Sequence, residues 1–491
     1  MPLALLFGLV AQLLFYGVGL GVNLGIAAVL LLAVSWALRP ARATIDPLDR
    51  WIAPAAIVFS WLPALRSDLM LMLFDVPAAL VLLVMAAVSF AGVPLTRRAL
   101  DLLMLLGFVV AGRLVIGGAI LLAALPDVGG PIARRAGGRL ASVGIGLVLA
   151  LPLIVVFAAL FSSADAVFAS AMRNAFDLSR WSLGEVIGRT IVAGVFAWAA
   201  GGIFLLAGRG SDVKFPSLLP YLRGLVSSTA ATTMLTAVDA LFLFFVALQI
   251  AYLFGGRDTL AATGLTYSAY ARGGFFELIA VAVLAGGVVF AVELVVARRR
   301  RAFVIAALVL VAATLVVVAS AAYRMQLYQA AYGWSEQRFY ALAGIAWLGA
   351  GGIVAIPLIV RDATRWLLHA GGLLALGVAI AVNLLGPSAF VAGRNLDRVI
   401  DPSGLPADAY RGLDVAYLVS LGDGALPTII EHLPRLPEPW RDAVTSYLYF
   451  NVLDHWHVGV LPWQAASLDR IRARDALGGA ADAIRAYPRL R

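Results

Sequence analysis

The chain contains no cysteine. Disulfides, thiolate nucleophiles and zinc–thiolate centres are therefore excluded. Lysine is almost missing as well: Lys214 is the single one, and the remaining basic residues are arginine. Charge of either sign is scarce, at 13% of residues against about a quarter in soluble domains. The usual catalytic signatures are also lacking. There is no Walker loop, no dinucleotide fingerprint following a strand, no nucleophile elbow and no zincin helix. Gly255-Gly256 and Gly273-Gly274 are isolated pairs, too little for a phosphate cradle. No run of short alternating segments points to a transmembrane barrel. No cofactor is expected.

What fills the chain is apolar sequence, 62% of residues. It comes in blocks of about 18–23 residues, the length a helix needs to cross the hydrocarbon core. Without water to satisfy the backbone, such blocks must be helices. The expected fold is all-α, a polytopic transmembrane helix bundle of about 11–13 spans. The blocks fall at about 3–18, 22–38, 52–66, 70–92, 140–161, 185–207, 236–255, 275–297, 302–322, 338–360 and 366–387. The first begins without a basic n-region or a small-residue cleavage site, so it reads as a span and not as a removed signal. Residues 100–125 are ambiguous, because Arg113 lies mid-segment and arginines flank both ends. A lone arginine at the bilayer centre costs a few kcal/mol, about 3 on the lenient insertion scale. This segment should cross twice or not at all.

The arginines set the orientation. Arg39, Arg42 and Arg50, Arg97 and Arg98, Arg209 with Lys214 and Arg223, the run Arg298 to Arg301, and Arg361 with Arg365 all fall on one side of this topology. The positive-inside rule makes that side cytoplasmic and explains the net charge of +9 without nucleic acid. A bacterial inner membrane is expected, with the N-terminus inside and the C-terminal tail outside. From about residue 388 proline, aspartate and arginine rise and the long apolar blocks end. Residues 1–387 read as the membrane bundle and 388–491 as a small soluble helical tail.

Five stretches carry a resemblance. They are Leu14-Phe15-Tyr16-Gly17 with Gly21-Val22-Asn23-Leu24; Phe157 to Asp165 (FAALFSSAD); Tyr252 to Gly256 followed by Leu265 to Leu278 (LTYSAYARGGFFEL); Tyr323 to Tyr340 (YRMQLYQAAYGWSEQRFY); and Asn395-Leu396-Asp397-Arg398 with Leu413 to Asp423. Together they resemble a family of bacterial polytopic membrane proteins defined only as a domain of unknown function. The resemblance implies a cell-envelope membrane protein and carries over no catalytic residue.

The stretches at 161–165, 252–277, 323–340 and 395–423 lie at expected outer helix ends, outer loops or the tail. That one-sidedness points to a recognition surface. The candidate ligand residues are Tyr267, Tyr270, Arg272, Glu277, Arg324, Tyr332, Trp334, Glu336 and Arg338. Arginine grips carboxylate or phosphate in a planar fork, so Arg272, Arg324 and Arg338 together would suit an anionic lipid or envelope ligand. The bland reading uses the same residues, as aromatic interface anchors and structural ion pairs. Asp454, His455 and His457 form the one tight ligand-like cluster, but histidines two apart on a helix diverge, and no metal site is expected. Non-enzymatic recognition, sensing or transport leads. A transferase acting on a lipid-linked substrate, with Asp165, Glu277 or Glu336 as acid or base, and an envelope scaffold are the alternatives.

Overall fold

A computed structural model describes residues 2–97, 183–209, 224–254, 275–296, 298–406, 409–453 and 461–487. The segments expected at 100–125 and 140–161, the 157–165 motif with Asp165, and the cluster Asp454, His455 and His457 lie outside the described residues. Among the described residues the fold is all-α. There are fifteen α-helices and no strand, with one isolated bridge between Val226 and Val296.

Five helices form a first bundle: α1 (Pro2–Phe15), α2 (Val22–Ala37), α3 (Ile52–Leu65), α4 (Leu69–Phe90) and α5 (Leu183–Arg209). α1 lies along α5, and α3 packs between α2 and α4. Small residues permit the close α1–α5 approach: a Cβ at Gly8 would stand 2.7 Å from the Ala197 Cβ. A second bundle is wrapped around α8 (Arg301–Tyr332), with α6 (Ser228–Phe254), α7 (Phe275–Val295) and α9 (Glu336–Val360) against it. Leu235, Phe303, Leu310, Val317 and Ile345 are buried in it. α10 (Leu367–Leu385) touches both α9 and α4 and so joins the two bundles. Among the described residues seven helices, α4 to α10, are long and apolar enough to cross a membrane, and α1 and α2 are shorter apolar helices. The chain is a multi-pass membrane protein.

The last five helices are α11 (Pro387–Ile400), α12 (Val415–Ser420), α13 (Leu426–His432), α14 (Glu438–Leu448) and α15 (Leu468–Arg485). α11 shows why they pack rather than span. Val391, Leu396 and Val399 fall on one face, Arg394, Asp397 and Arg398 on another. The apolar faces of this group bury Leu396, Leu418, Ile429, Leu436, Leu448 and Leu477 almost completely. Leu71 of α4, Phe339 of α9 and Val382 of α10 enter the same core, so the group is docked onto the ends of both bundles.

The arginine-rich turns lie at the other end. There Asp49 accepts from the backbone N–H groups of Leu95 and Thr96, both at 2.7 Å. Arg299 is more than one of a charged run. It donates to Glu293 (3.0 Å), Asp362 (2.6 Å) and the Ile359 carbonyl (2.7 Å), binding α7, α8 and α9 together.

Two helices differ from the sequence-based expectation. α8 runs ten residues past the expected end at 322, because 323–332 holds good helix formers and neither glycine nor proline. Gly333, at φ +81°, ends it. The extension adds about 15 Å of helix at 1.5 Å per residue. α6 begins at Ser228 instead of about 236. Asp239 therefore lies eleven residues into the helix, about 16 Å along it, and not near its end.

Candidate ligand cleft at the tail junction

Three polar groupings hold the tail helices to the bundles. The first is built on Arg66, at the end of α3. Its Nε donates to the Asn383 carbonyl (2.6 Å) and its Nη2 to the Leu384 carbonyl (3.1 Å), two groups that the C-terminus of α10 leaves without helical partners. Its Nη1 donates to Asp469 of α15 at 3.0 Å, and the Ser67 N–H donates to the same carboxylate. Gly386 passes directly over the guanidinium; a Cβ there would come within 2.9 Å of it. Beside it Arg470 donates to the carbonyls of Leu20 (2.9 Å) and Ala465 (2.5 Å) and faces Asp423 at 3.8 Å. Burial raises the Asp423 carboxyl above the ordinary aspartate value, and Arg470 offsets part of the rise. The turn under this seam is fixed by Asn23. Its side chain is fully buried, donates to the carbonyls of Leu14 and Gly19, and accepts from the N–H groups of Gly21 and Leu24.

The second grouping is acidic. Asp68 caps α4 through the Met70 and Leu71 N–H groups with one oxygen. Its other oxygen accepts from Tyr340 (3.2 Å) and Ser388 (3.0 Å). The same Ser388 hydroxyl lies 3.2 Å from Glu336 Oε1, and Tyr417 OH accepts from the Glu336 N–H at 2.9 Å. One hydroxyl hydrogen cannot serve both carboxylates. This centre joins α4, α9, α11 and α12, and Glu336 within it is partly buried.

The third grouping is open. Arg398 of α11 caps the end of α8, donating to the carbonyls of Gln329 (3.1 Å), Ala330 (2.7 Å) and Ala331 (3.3 Å), and to that of Tyr410 (3.1 Å). Burial, and after it the neighbouring charge of Arg338, lower its proton affinity. Asn395, one turn earlier, clasps the backbone of Trp334 by accepting at 2.8 Å and donating at 2.9 Å. A side chain at Gly333 would meet that amide at 2.8 Å, so both its positive φ and this approach require glycine. Between the α8 extension, α11 and the turn after α13 lies a cleft of about 600 Å³. Gln326, Gln329 and Trp334 line one wall, and Arg394, Asp397 and Arg398 another. Arg435 and Asp401 stand at its edge. Gln329 is 3% exposed, and its amide Nε2 has no hydrogen-bond partner among the described residues. Arg394 and Arg435 are exposed. Asp401 is held below the ordinary carboxyl value by bonds from Ser403 and stays ionised.

The sequence-predicted residues divide accordingly. Trp334 lines the cleft, its ring edge-on to Phe390. Arg338 lies over the Tyr328 ring at 4.1 Å and donates to the Gly333 carbonyl at 2.6 Å. Tyr332 is exposed and packs on Tyr328. Arg324 is buried within α8 and Glu336 belongs to the acidic centre. Tyr267, Tyr270 and Arg272 lie outside the described residues, as does the side chain of Glu277. Sequence reading passed over Gln329, Arg394 and Arg435. The only signal for the first two was position: Gln329 lies inside the 323–340 motif and Arg394 directly before the 395–398 motif. Two acids sit inside the helices. Asp75 is buried and accepts from Asn383 at 2.9 Å. Asp239 is buried, and its Oδ1 has no partner among the described residues.

No curated protein and no solved structure matches the chain. A family model does, over residues 53–432, from α3 through α13. The cleft residues Gln329, Trp334, Arg394, Asp397 and Arg398 fall within that match and Arg435 just beyond it. The matched region is well over half of the chain, which therefore belongs to the family described as Domain of unknown function (DUF4153).

Proposed function

We propose that the protein is a membrane-embedded recognition protein that takes an anionic component of the cell envelope in the cleft between the α8 extension and α11. One observation carries this reading: a cleft of about 600 Å³ at the tail junction has exposed arginines on its walls and a buried amide donor without a partner. A buried unpaired donor costs about 1–3 kcal/mol unless something fills it. The arginine-rich turns at the opposite end support an outer position for the cleft by the positive-inside rule, in a bacterial inner membrane. The arrangement serves a sensor or a carrier; for the transferase reading Glu336 is the one candidate acid whose side chain lies within the described residues, and its carboxylate shares the Ser388 hydroxyl with Asp68.

The test is native mass spectrometry of the protein released from mild detergent, beside an Arg394→Ala, Arg435→Ala double variant. The wild type should retain an anionic adduct that the variant lacks. Identical adducts on both, or none on either, would sink the proposal.

A further inference from the structure

The composition of the cleft says more than that it is basic. A site for a bare anion would present donors alone, whereas here two carboxylates, Asp397 and Asp401, stand among the arginines. Asp397 lines the cleft with its side chain half exposed, and its Oδ1 lies 3.6 Å from His432 Nε2. Carboxylates repel phosphate and accept readily from hydroxyl groups. Gln329 and Gln326 offer planar amides that donate and accept side by side. Trp334 adds an apolar wall. Arg394 and Arg435 supply charge for an anionic end, and Arg435 forms no ion pair or hydrogen bond among the described residues. A ligand satisfying all of these must carry hydroxyl groups and negative charge together.

Resting on the recognition reading above, we infer that the cleft binds a polyhydroxylated anion, a sugar or cyclitol bearing phosphate or carboxylate. Arg394 and Arg435 take the anionic group. Asp397 accepts from ring hydroxyls, and the Gln329 amide, buried at the back, donates to one ring oxygen. The cleft opens beside the last turns of a membrane-spanning helix, within reach of the headgroup of a lipid. The same chemistry also occurs in soluble sugar phosphates, and the test separates the two sources.

The full-length protein is placed in phosphatidylcholine nanodiscs and titrated with glucose 1-phosphate, inorganic phosphate or glucose. Hydrogen exchange of residues 326–334 and 394–405 is the readout. The expected result is protection by glucose 1-phosphate at concentrations at least tenfold below those needed for phosphate or glucose. Arg394→Ala with Arg435→Ala should weaken it tenfold or more. Asp397→Asn should abolish the preference over phosphate, weakening sugar-phosphate binding while phosphate binds as well as or better than before. Gln329→Leu, matched in size, removes the unpaired donor and should weaken sugar-phosphate binding while the melting temperature of the unliganded protein rises. Nanodiscs containing phosphatidylinositol, compared with phosphatidylglycerol, form the second arm. Protection by the inositol lipid without soluble ligand assigns the source to the membrane; protection by glucose 1-phosphate alone assigns it to solution. Equal protection by phosphate and glucose 1-phosphate overturns the inference and leaves the recognition reading standing. Protection by none of the probes also overturns it, and the mass-spectrometric comparison then judges the recognition reading separately.

Discussion

The junction between the tail helices and the membrane bundles is made twice with the same device, and the two copies differ. At one seam Arg66 reaches over the C-terminus of α10; at the other Arg398 reaches over the C-terminus of α8. Each guanidinium satisfies carbonyls that a helix end leaves unpaired. Around Arg66 the remaining nitrogen is taken by Asp469, and Gly386 closes the space above it. Around Arg398 the chain stands back, leaving a cleft with arginine side chains to spare. A seam that only has to hold is filled to its last donor. The seam at Arg398 leaves donors unused: exposed arginines and the buried Gln329 Nε2 line its cleft without hydrogen-bond partners among the described residues.

Breaking the filled seam should have the largest effect. Arg66→Ala leaves the buried Asp469 without its charge partner, a change that costs about 3–5 kcal/mol. It should appear as early proteolysis of the tail helices while the bundles stay intact. Arg398→Ala removes charge-assisted bonds to four carbonyls but leaves them nearer water. A loss of about 2–3 kcal/mol is expected, read from the same proteolysis series. The acidic centre between the seams sharpens the contrast. Asp68→Ala removes a helix cap and the acceptor for Tyr340 and Ser388, for about 2 kcal/mol in thermal melts. Glu336→Gln brings its own donor to the Ser388 oxygen and should shift stability by less than about 0.5 kcal/mol. The open seam answers differently: Arg394→Ala with Arg435→Ala should leave stability within about 0.5 kcal/mol while removing the ligand. The finest effect is one of pH. The folded state holds the Asp423 proton more tightly than the unfolded chain does, so stability falls as pH rises from the ordinary aspartate value through the raised one. Asp423→Asn should flatten that part of the pH profile of melting.

The sequence made the helices plain and the seams obscure, for physical reasons. A run such as 69–90 has one solution in lipid, and it is a helix. The end of α8 was harder to place, because hydropathy falls after residue 322 while helix propensity does not. Arg66 gives no sequence signal at all. A single arginine after an apolar block is ordinary, and its partners lie 317 and 403 positions away. The motif residues divide in the same manner. Asn23, Asn395 and Arg398 each form bonds that fix a turn or a helix end, so their motifs mark structure. Trp334 was legible as a candidate because it lies in a conspicuous aromatic stretch. Arg394 and Arg435 come to the same cleft from separate elements, and only the packing of α11 on α8 reveals that they share it.

The lengths of α2 and α3, sixteen and fourteen residues, have a bearing on the lipid itself. At 1.5 Å per residue they reach about 24 and 21 Å, against a hydrocarbon core of about 30 Å. α4 beside them has twenty-two residues. The segment carrying Trp463, which is exposed, sits over the α1–α2 turn. A bilayer spanned by helices this short thins locally to meet them, and the exposed Trp463 stands at the tail end of this flank. The filled seam around Arg66 and Arg470 resists that pull, so bilayers of longer acyl chains should load it more heavily than thin ones.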